Sequence, residues 1–149
     1  RETIARSDGT LVKTIGDSVM AAFFDPAKAV EAAFEMHRTI DEDNAARGEP
    51  ALALKIGIHH GSCIAVNLND ILDYFGTAVN LAARVEKESH GGDIVVTEEI
   101  WQDPHVQGVL ARHVFADEVF NCSVRGLSGT RTVHRIKVSA KEGNSGTVA

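Results

Sequence analysis

The chain contains two separated groups of polar residues whose types and spacing suit a metal ion and an anionic ligand. Asp17 follows Gly16 between two runs of strand-compatible residues, so it is predicted at the tip of a β-hairpin, where it faces solvent or a ligand. Asn80 and Arg84 lie four residues apart in a predicted helix and therefore share one face. Such a pair suits phosphate, because arginine donates a rigid fork of hydrogen bonds. Taken alone, a Gly-Asp turn is common turn chemistry, and an Asn-Arg pair is more often a solvated face.

Local sequence signals predict the elements that position these residues. Residues 10–23 form the hairpin, and Thr77 caps a helix over residues 78–88. A longer helix begins after Asp25 and stops at Gly48. The other predicted elements are strands over residues 52–59, 62–67, 93–97, 114–124 and 130–138, short helical segments over 98–102 and 104–113, and a loop that continues from the second of these strands to residue 74.

The combined pattern is K-T-I-G-D-x-x-M-A followed by D-x-x-G-x-x-V-N-x-A-x-R, and it resembles the catalytic domain of class III adenylate and guanylate cyclases. The resemblance extends over residues 10–138 and implies an α+β fold, with a ferredoxin-like βαββαβ core and extra C-terminal strands. It implies one class III nucleotide cyclase domain over residues 1–138, incomplete at its N-terminus. Residues 139–149 are polar and glycine-rich, and they are predicted to form a disordered tail.

The resemblance implies a role for each matching polar residue. Asp17 matches the hairpin Asp that binds two Mg²⁺ or Mn²⁺ ions in the family. Lys13 and Asp73 match the two residues that read the adenine ring. Asn80 and Arg84 match the helix residues that orient the ribose and stabilise the transition state.

A further match and three departures accompany this pattern. Arg125 matches the basic residue that contacts the terminal phosphates, although the family usually has Lys there. Val66 stands where glycine is usual, in the loop that precedes Asp73. The family also has a second metal-binding Asp, on a first strand of the F-x-D-I-x-x-F type, and this sequence contains no such segment.

These observations leave two functional hypotheses. The first is an adenylate cyclase that converts ATP to 3′,5′-cyclic AMP and pyrophosphate in intracellular signalling. In the family, the metal-binding residues and the residues that read the base come from opposite protomers, so this hypothesis implies a homodimer. We expect this homodimer in the cytoplasm. The second is a cyclase-like module that binds nucleotide and regulates a partner without turnover.

Composition limits the range of functions. With 149 residues, of which 44% are hydrophobic, the chain can bury a core without disulfides. A formal net charge of −6 argues against general binding to nucleic acid or to an anionic membrane. The sequence contains no signal peptide and no apolar run near eighteen residues, so no membrane segment is predicted. Cys63 and Cys122 are too few for a disulfide scaffold, and Cys63 is predicted as a buried free thiol.

Two other motifs have simpler explanations. Residues 90–94 (HGGDI) resemble the G-G-D-E-F signature of diguanylate cyclases, but they follow a predicted helix and not a hairpin. His59 and His60 are adjacent in a strand and therefore point to opposite faces, which makes a shared metal ion unfavourable. His37 lies on the apolar stripe of a helix and is predicted to be a hydrogen-bonded core residue.

Overall fold

The computed structural model describes residues 1–48, 52–124, 126 and 129–138. The helices in this part of the chain are α1 (Glu2–Arg6), α2 (Pro26–Arg47), α3 (Thr77–Lys87), α4 (Glu98–Trp101) and α5 (Pro104–Leu110). The strands are β1 (Gly9–Ile15), β2 (Ser18–Phe23), β3 (Lys55–Ile58), β4 (Ile64–Leu68), β5 (Ile71–Phe75), β6 (Asp93–Thr97), β7 (Phe115–Ser123) and β8 (Thr130–Val138). The predicted tail over residues 139–149 lies outside the described residues.

The main sheet has four strands in the order β3-β6-β8-β7. β3 and β6 are parallel, while β6 pairs with β8, and β8 with β7, in antiparallel fashion. Every residue of β6 is buried. Ile94 and Val96 join a cluster with α2 and α5, whereas Val95 joins a second cluster with α3. This alternation is the two-residue period of a strand, so β6 lies between helices on both faces of the sheet.

Two antiparallel ribbons lie outside this sheet. In the β1–β2 ribbon, Gly16 and Asp17 form the turn and Gly16 has a φ of 60°, as a type II′ turn requires. In the β4–β5 ribbon, the turn residues Asn69 and Asp70 both have positive φ, at 53° and 62°. These angles are typical of a type I′ turn, which favours Asn and Asp.

The second ribbon corrects the predicted loop. Residues 71–75 form β5, which pairs with β4, so the strand predicted over 62–67 pairs with the segment after it and not with β3. Cys63 lies at the base of this ribbon and is exposed. The prediction of a buried Cys63 thiol is therefore wrong. The buried cysteine is Cys122.

Local residue chemistry explains both ends of α2 but not the start of α3. The side chain of Asp25 accepts a hydrogen bond from the Ala27 amide at 2.9 Å, and Gly48 closes α2 in the left-handed conformation. In α3 the N-cap is Gly76 with a φ of 132°, and no side chain caps the helix. The prediction that Thr77 caps α3 is therefore wrong, since Thr77 is already the first helical residue.

A glycine allows α3 to lie directly on the main sheet. A Cβ atom placed on Gly57 of β3 would lie 2.3 Å from the Glu86 backbone nitrogen and 2.5 Å from its Cα. Both atoms belong to the α3 backbone, so any larger residue at this position would push the helix away. The contact sets the height of α3, and hence of its polar residues, above β3.

The described residues include no helix that is both long and apolar enough to cross a membrane.

Candidate functional site

Lys13 and Asp73 are sixty residues apart in sequence and form an ion pair. The distance from Lys13 Nζ to Asp73 Oδ2 is 2.8 Å, with side chains 35% and 26% exposed. Asp73 Oδ1 accepts a second hydrogen bond from the Tyr74 amide, also at 2.8 Å. The hydrogen bond from Lys13, followed by that from Tyr74, holds the pKa of Asp73 below its usual value. The pair therefore presents a cationic donor beside an ionised acceptor.

The two ribbons explain why these side chains meet. The register of β1 shifts between Leu11 and Lys13, which marks a β-bulge directly before Lys13. A bulge re-aims the side chains that follow it. On β5, Asp73 and Phe75 lie two residues apart and so share a face, and Lys13 Nζ lies 5.7 Å from the centroid of the Phe75 ring. The ribbons thus form a polar and aromatic corner of three residues.

Asn80 and Arg84 lie on the outer face of α3, while Leu81 and Val85 fill the core below them. Asn80 is exposed and its side chain makes no hydrogen bond to any described residue. The Arg84 Nε donates to the Ser123 carbonyl at 3.1 Å, and its Nη1 lies 2.5 Å from Oε1 of Glu88. The guanidinium is therefore fixed along one edge.

A buried polar network fixes the end of α3. Arg135 and Asp93 form an ion pair at 3.1 Å, with side chains only 5% and 4% exposed. Arg135 Nη2 also donates to the Glu88 carbonyl at 2.7 Å. Burial alone would raise the pKa of Asp93, but hydrogen bonds from the His90 amide, Ser89 Oγ and the Gly91 amide, together with the charge of Arg135, hold it below its usual value.

Asp17 stands apart from these groups. It is exposed at the tip of the β1–β2 ribbon, and it makes no hydrogen bond or ion pair with a described residue. No group of three or more His, Cys, Asp and Glu side chains able to hold a metal ion occurs in the described part of the chain. A single free carboxylate still fits Mg²⁺ as it is used in nucleotide sites, because that ion takes one or two protein carboxylates and completes its shell with phosphate oxygens and water.

The sequence-predicted residues thus fall into three places. Lys13 and Asp73 contact each other, Asn80 and Arg84 share a helix face, and Asp17 occupies a separate hairpin tip. Arg125 lies outside the described residues.

Sequence reasoning missed the partners of Arg84 and the ring beside Lys13. Glu88 follows Arg84 by four residues, so its spacing was a readable signal. Phe75 follows Asp73 by two residues, which places the two side chains on the same face only if this segment is a strand, and β5 was not predicted. The Ser123 carbonyl, on a strand far along the chain, left no signal in the sequence.

Of the two lookalike motifs, residues 90–94 follow a helix as predicted, whereas β3 ends at Ile58, so His59 and His60 come after the strand and do not lie within it as predicted. Gly91 and Gly92 lie between α3 and β6, not at a hairpin tip. His59 Nδ1 lies 2.8 Å from Thr97 Oγ1, and His60 is exposed. His37 is buried with its Nε2 2.9 Å from the Asp93 carbonyl oxygen.

Comparison with known proteins identifies the family of the chain. The family model described as the adenylate and guanylate cyclase catalytic domain matches residues 1–136. A protein named adenylate cyclase from Anabaena cylindrica is 32% identical over 114 residues, covering 66% of this chain and 23% of the relative. One of the same name from Streptomyces coelicolor is 36% identical over 84 residues, covering 56% of this chain and 20% of the relative. The chain thus spans about a fifth to a quarter of the length of these relatives.

Solved structures show the same fold. An adenylate/guanylate cyclase/hydrolase from Silicibacter pomeroyi superposes with a TM-score of 0.73 at 28% identity, covering 93% of this chain and 77% of that one. The guanylate cyclase domain of RhGC from Catenaria anguillulae, in complex with GTP, gives a TM-score of 0.73 at 23% identity, with 92% and 75% covered. The α+β arrangement is therefore that of class III cyclases, as predicted. With residues 1–136 matched by its model, the chain belongs to the adenylate and guanylate cyclase catalytic domain family.

Proposed function

We propose that this protein is an adenylate cyclase, which forms 3′,5′-cyclic AMP and pyrophosphate from ATP at sites between two copies of the chain. The observation that carries the choice of adenine is the 2.8 Å pair of Lys13 and Asp73. Lys13 would donate to adenine N1 and Asp73 would accept from the N6 amine. Guanine presents a carbonyl oxygen and a ring N–H at those places, so donor and acceptor are reversed. The relatives named adenylate cyclase support the same choice.

In the reaction, the 3′-oxygen of the ribose bonds to the α-phosphorus and loses its proton. The bond from that phosphorus to the bridging oxygen breaks, and pyrophosphate leaves. Asn80 would orient the ribose, and Arg84 would donate to the negative charge that grows on the α-phosphate in the transition state. The basic side chain of Arg125 would contact the terminal phosphates.

Asp17 would hold the divalent ions of the site, which we propose to be two Mg²⁺ or Mn²⁺. When bound, these ions would neutralise phosphate charge and lower the pKa of the attacking hydroxyl. The carboxylate is free of other described partners, so no internal ion pair has to break before it can coordinate a cation. Phosphate oxygens would bring most of the remaining ligands, which makes binding of metal and of nucleotide mutually dependent.

Apolar exposure on the β4–β5 ribbon supports the proposed homodimer. Ile64, Leu68, Ile71 and Phe75 are each more than half exposed. A two-stranded ribbon with apolar side chains in water is marginally stable by itself, and burial against a second copy would remove that exposure. We further propose that the dimer acts in the cytoplasm as a signalling enzyme.

A mixing experiment tests both the reaction and the shared site. The purified protein, with ATP and Mg²⁺ or Mn²⁺, should give cyclic AMP and pyrophosphate, resolved by chromatography. D17N and R84A proteins should each be nearly inactive, but a mixture refolded or co-expressed together should regain activity. Half of a random mixture is heterodimer, and one of its two sites combines two unmodified halves, so about a quarter of all sites are intact.

The outcomes separate the alternatives. Absence of any cyclic product from ATP or GTP with either metal would refute the enzyme. Active wild type with no recovery in the mixture would place each site within one protomer. Sedimentation at the monomer mass at all concentrations would refute the dimer.

The second candidate is a nucleotide-binding module without turnover. Asp17 is a single carboxylate, and the described residues contain no cluster of three metal-ligating side chains to accompany it. Calorimetric titration with ATP distinguishes the two functions, because binding without product supports the module. No heat of binding would eliminate it.

A further inference from the structure

Two neighbours hold the guanidinium of Arg84. Its Nε donates to the Ser123 carbonyl at 3.1 Å, and its Nη1 contacts Glu88 Oε1 at 2.5 Å. A guanidinium carries five N–H donors in a planar fork. Nη2 has no partner among the described residues, so both of its N–H groups remain available for a phosphate. The contacts therefore restrain the arginine and leave one edge open.

Local helix electrostatics do not explain why an acidic residue occupies position 88. Glu88 is the C-cap of α3, where the negative end of the helix dipole disfavours a carboxylate. The order Arg then Glu at a spacing of four is also the less favourable orientation of an ion pair on a helix. The contact with Arg84 is thus the one favourable ionic interaction of this carboxylate with the described residues.

The backbone of Glu88 is held by a buried side chain. Its carbonyl accepts a 2.7 Å hydrogen bond from Nη2 of Arg135. Arg135 is buried and ion-paired to Asp93, and its guanidinium lies 4.5 Å from the Phe120 ring centroid. A carboxylate that projects from such an anchored position can restrain a neighbouring side chain better than one on a frayed terminus.

We propose that Glu88 is a positioning residue for Arg84, which holds the guanidinium so that its Nη2 edge is directed to the α-phosphate of the nucleotide. This inference rests on the proposed cyclase function. It assigns Glu88 no contact with the substrate. Because Glu88 already restrains Arg84, the side chain loses little further conformational entropy when charge develops in the transition state.

Removing Glu88 has two opposing effects. It frees the positive charge of Arg84, and it releases the side chain. The pair is about a quarter to a third exposed, so water screens much of the charge effect. Loss of the restraint should dominate, and we expect turnover to fall roughly tenfold, because arginine is among the side chains with the most rotamer freedom to lose.

The test compares E88A and E88Q with a matched control. Arg38 and Glu42 on α2 form a pair with the same order, spacing and 2.5 Å distance, away from the predicted site. E88A should lower kcat roughly tenfold with KM for the metal–ATP complex within about twofold, because the contact acts on the reacting state. E88Q should retain more activity, since its amide oxygen remains a possible acceptor for Arg84 Nη1. E42A should equal wild type, and E88A should have no further effect in an R84A background.

A second measurement separates this inference from the proposed reaction. The Nη–Hη resonances of Arg84 in ¹⁵N NMR spectra, assigned with R84A, should show hindered rotation of the guanidinium in wild type and faster rotation in E88A but not in E42A, because Nη1 is the atom that contacts Glu88. Unchanged rotation, or unchanged or raised kcat in E88A of an active enzyme, would overturn the role of Glu88. A wild type that makes no cyclic product, with the resonances behaving as expected, would instead remove the cyclase function and leave only the restraint.

Discussion

Exchanging the donor and acceptor of the Lys13–Asp73 pair should change which base the enzyme prefers. The variant K13E/D73S replaces the cationic donor by an acceptor and the carboxylate by a small hydroxyl, which can donate to the guanine carbonyl. It removes the charges of Lys13 and Asp73 and adds one carboxylate, a net change of −1, so the new glutamate has no second carboxylate beside it. We expect the ATP preference of the wild type to fall and relative use of GTP to rise.

The size of that preference follows from the exposure of the pair. A buried polar group left without a partner costs about 1–3 kcal/mol. Lys13 and Asp73 remain 35% and 26% exposed, so water can partly satisfy each one, and the lowest quarter of that range applies. Two mismatches at about 1–1.5 kcal/mol each give about 2–3 kcal/mol, or roughly 30- to 150-fold in kcat/KM. A fully enclosed polar site can reach about 10⁴.

The assay is the ratio of kcat/KM for ATP and GTP, measured by product chromatography with the same metal ion. K28E is the control, because it reverses the charge of another ion-paired lysine, on α2, outside the predicted site. It should keep the wild-type ratio. Equal ATP and GTP efficiencies in the wild type would show that these two residues do not read the base, even if the protein is an active cyclase.

Three further predictions concern single residues. D17N should unfold at the wild-type temperature, because the side chain is exposed, yet lose turnover across a full Mg²⁺ or Mn²⁺ titration; wild-type rates would remove Asp17 from the site. R84A should lower kcat by about 10²–10³ with little change in KM, whereas a pure rise in KM would make Arg84 a ground-state phosphate ligand. R135M should lower the free energy of unfolding by about 3–5 kcal/mol in urea titrations, because it leaves the buried Asp93 carboxylate without its countercharge. Since the folded-state pKa of Asp93 is depressed, its stabilising contribution is present above an unfolded pKa of about 3.9 and is lost as pH falls through the folded value. The R135M deficit should therefore shrink below about pH 4, and a deficit constant with pH would contradict this account.

The sequence predicted elements whose signals are local. The turn at Gly16 and Asp17, the capped helix α2 and the buried strand β6 all appear where residue chemistry placed them. β5 was missed because its turn, Asn69 and Asp70, lacks the glycine that usually marks a two-residue hairpin. With that turn unrecognised, Ile71–Phe75 has no strand partner in sequence and reads as loop.

Contacts between distant segments could be predicted only through family resemblance. Nothing local in β3 indicates that it pairs in parallel with β6 and not with the next strand, which is the commoner arrangement. The resemblance assigned Lys13 and Asp73 to one base, and the structure brings them into contact, while their role in reading that base stays a prediction. The arrangement around Arg84 depends on Ser123 and on the buried Arg135, whose positions emerge only when β7 and β8 have paired.

The division between the ribbons and the main sheet has a consequence for how this protein can change over evolutionary time. Among the described residues, neither cluster of buried core side chains contains a member from β1, β2, β4 or β5. The two residues predicted to choose the base, Lys13 and Asp73, thus lie on strands that contribute no side chain to these core clusters. Mutations there can explore new nucleotide preferences at small cost in folding stability, because few core contacts are at stake. The helix that carries Arg84 has less such freedom, since the backbone of α3 rests on Gly57, and so base preference should change more readily than the position of Arg84.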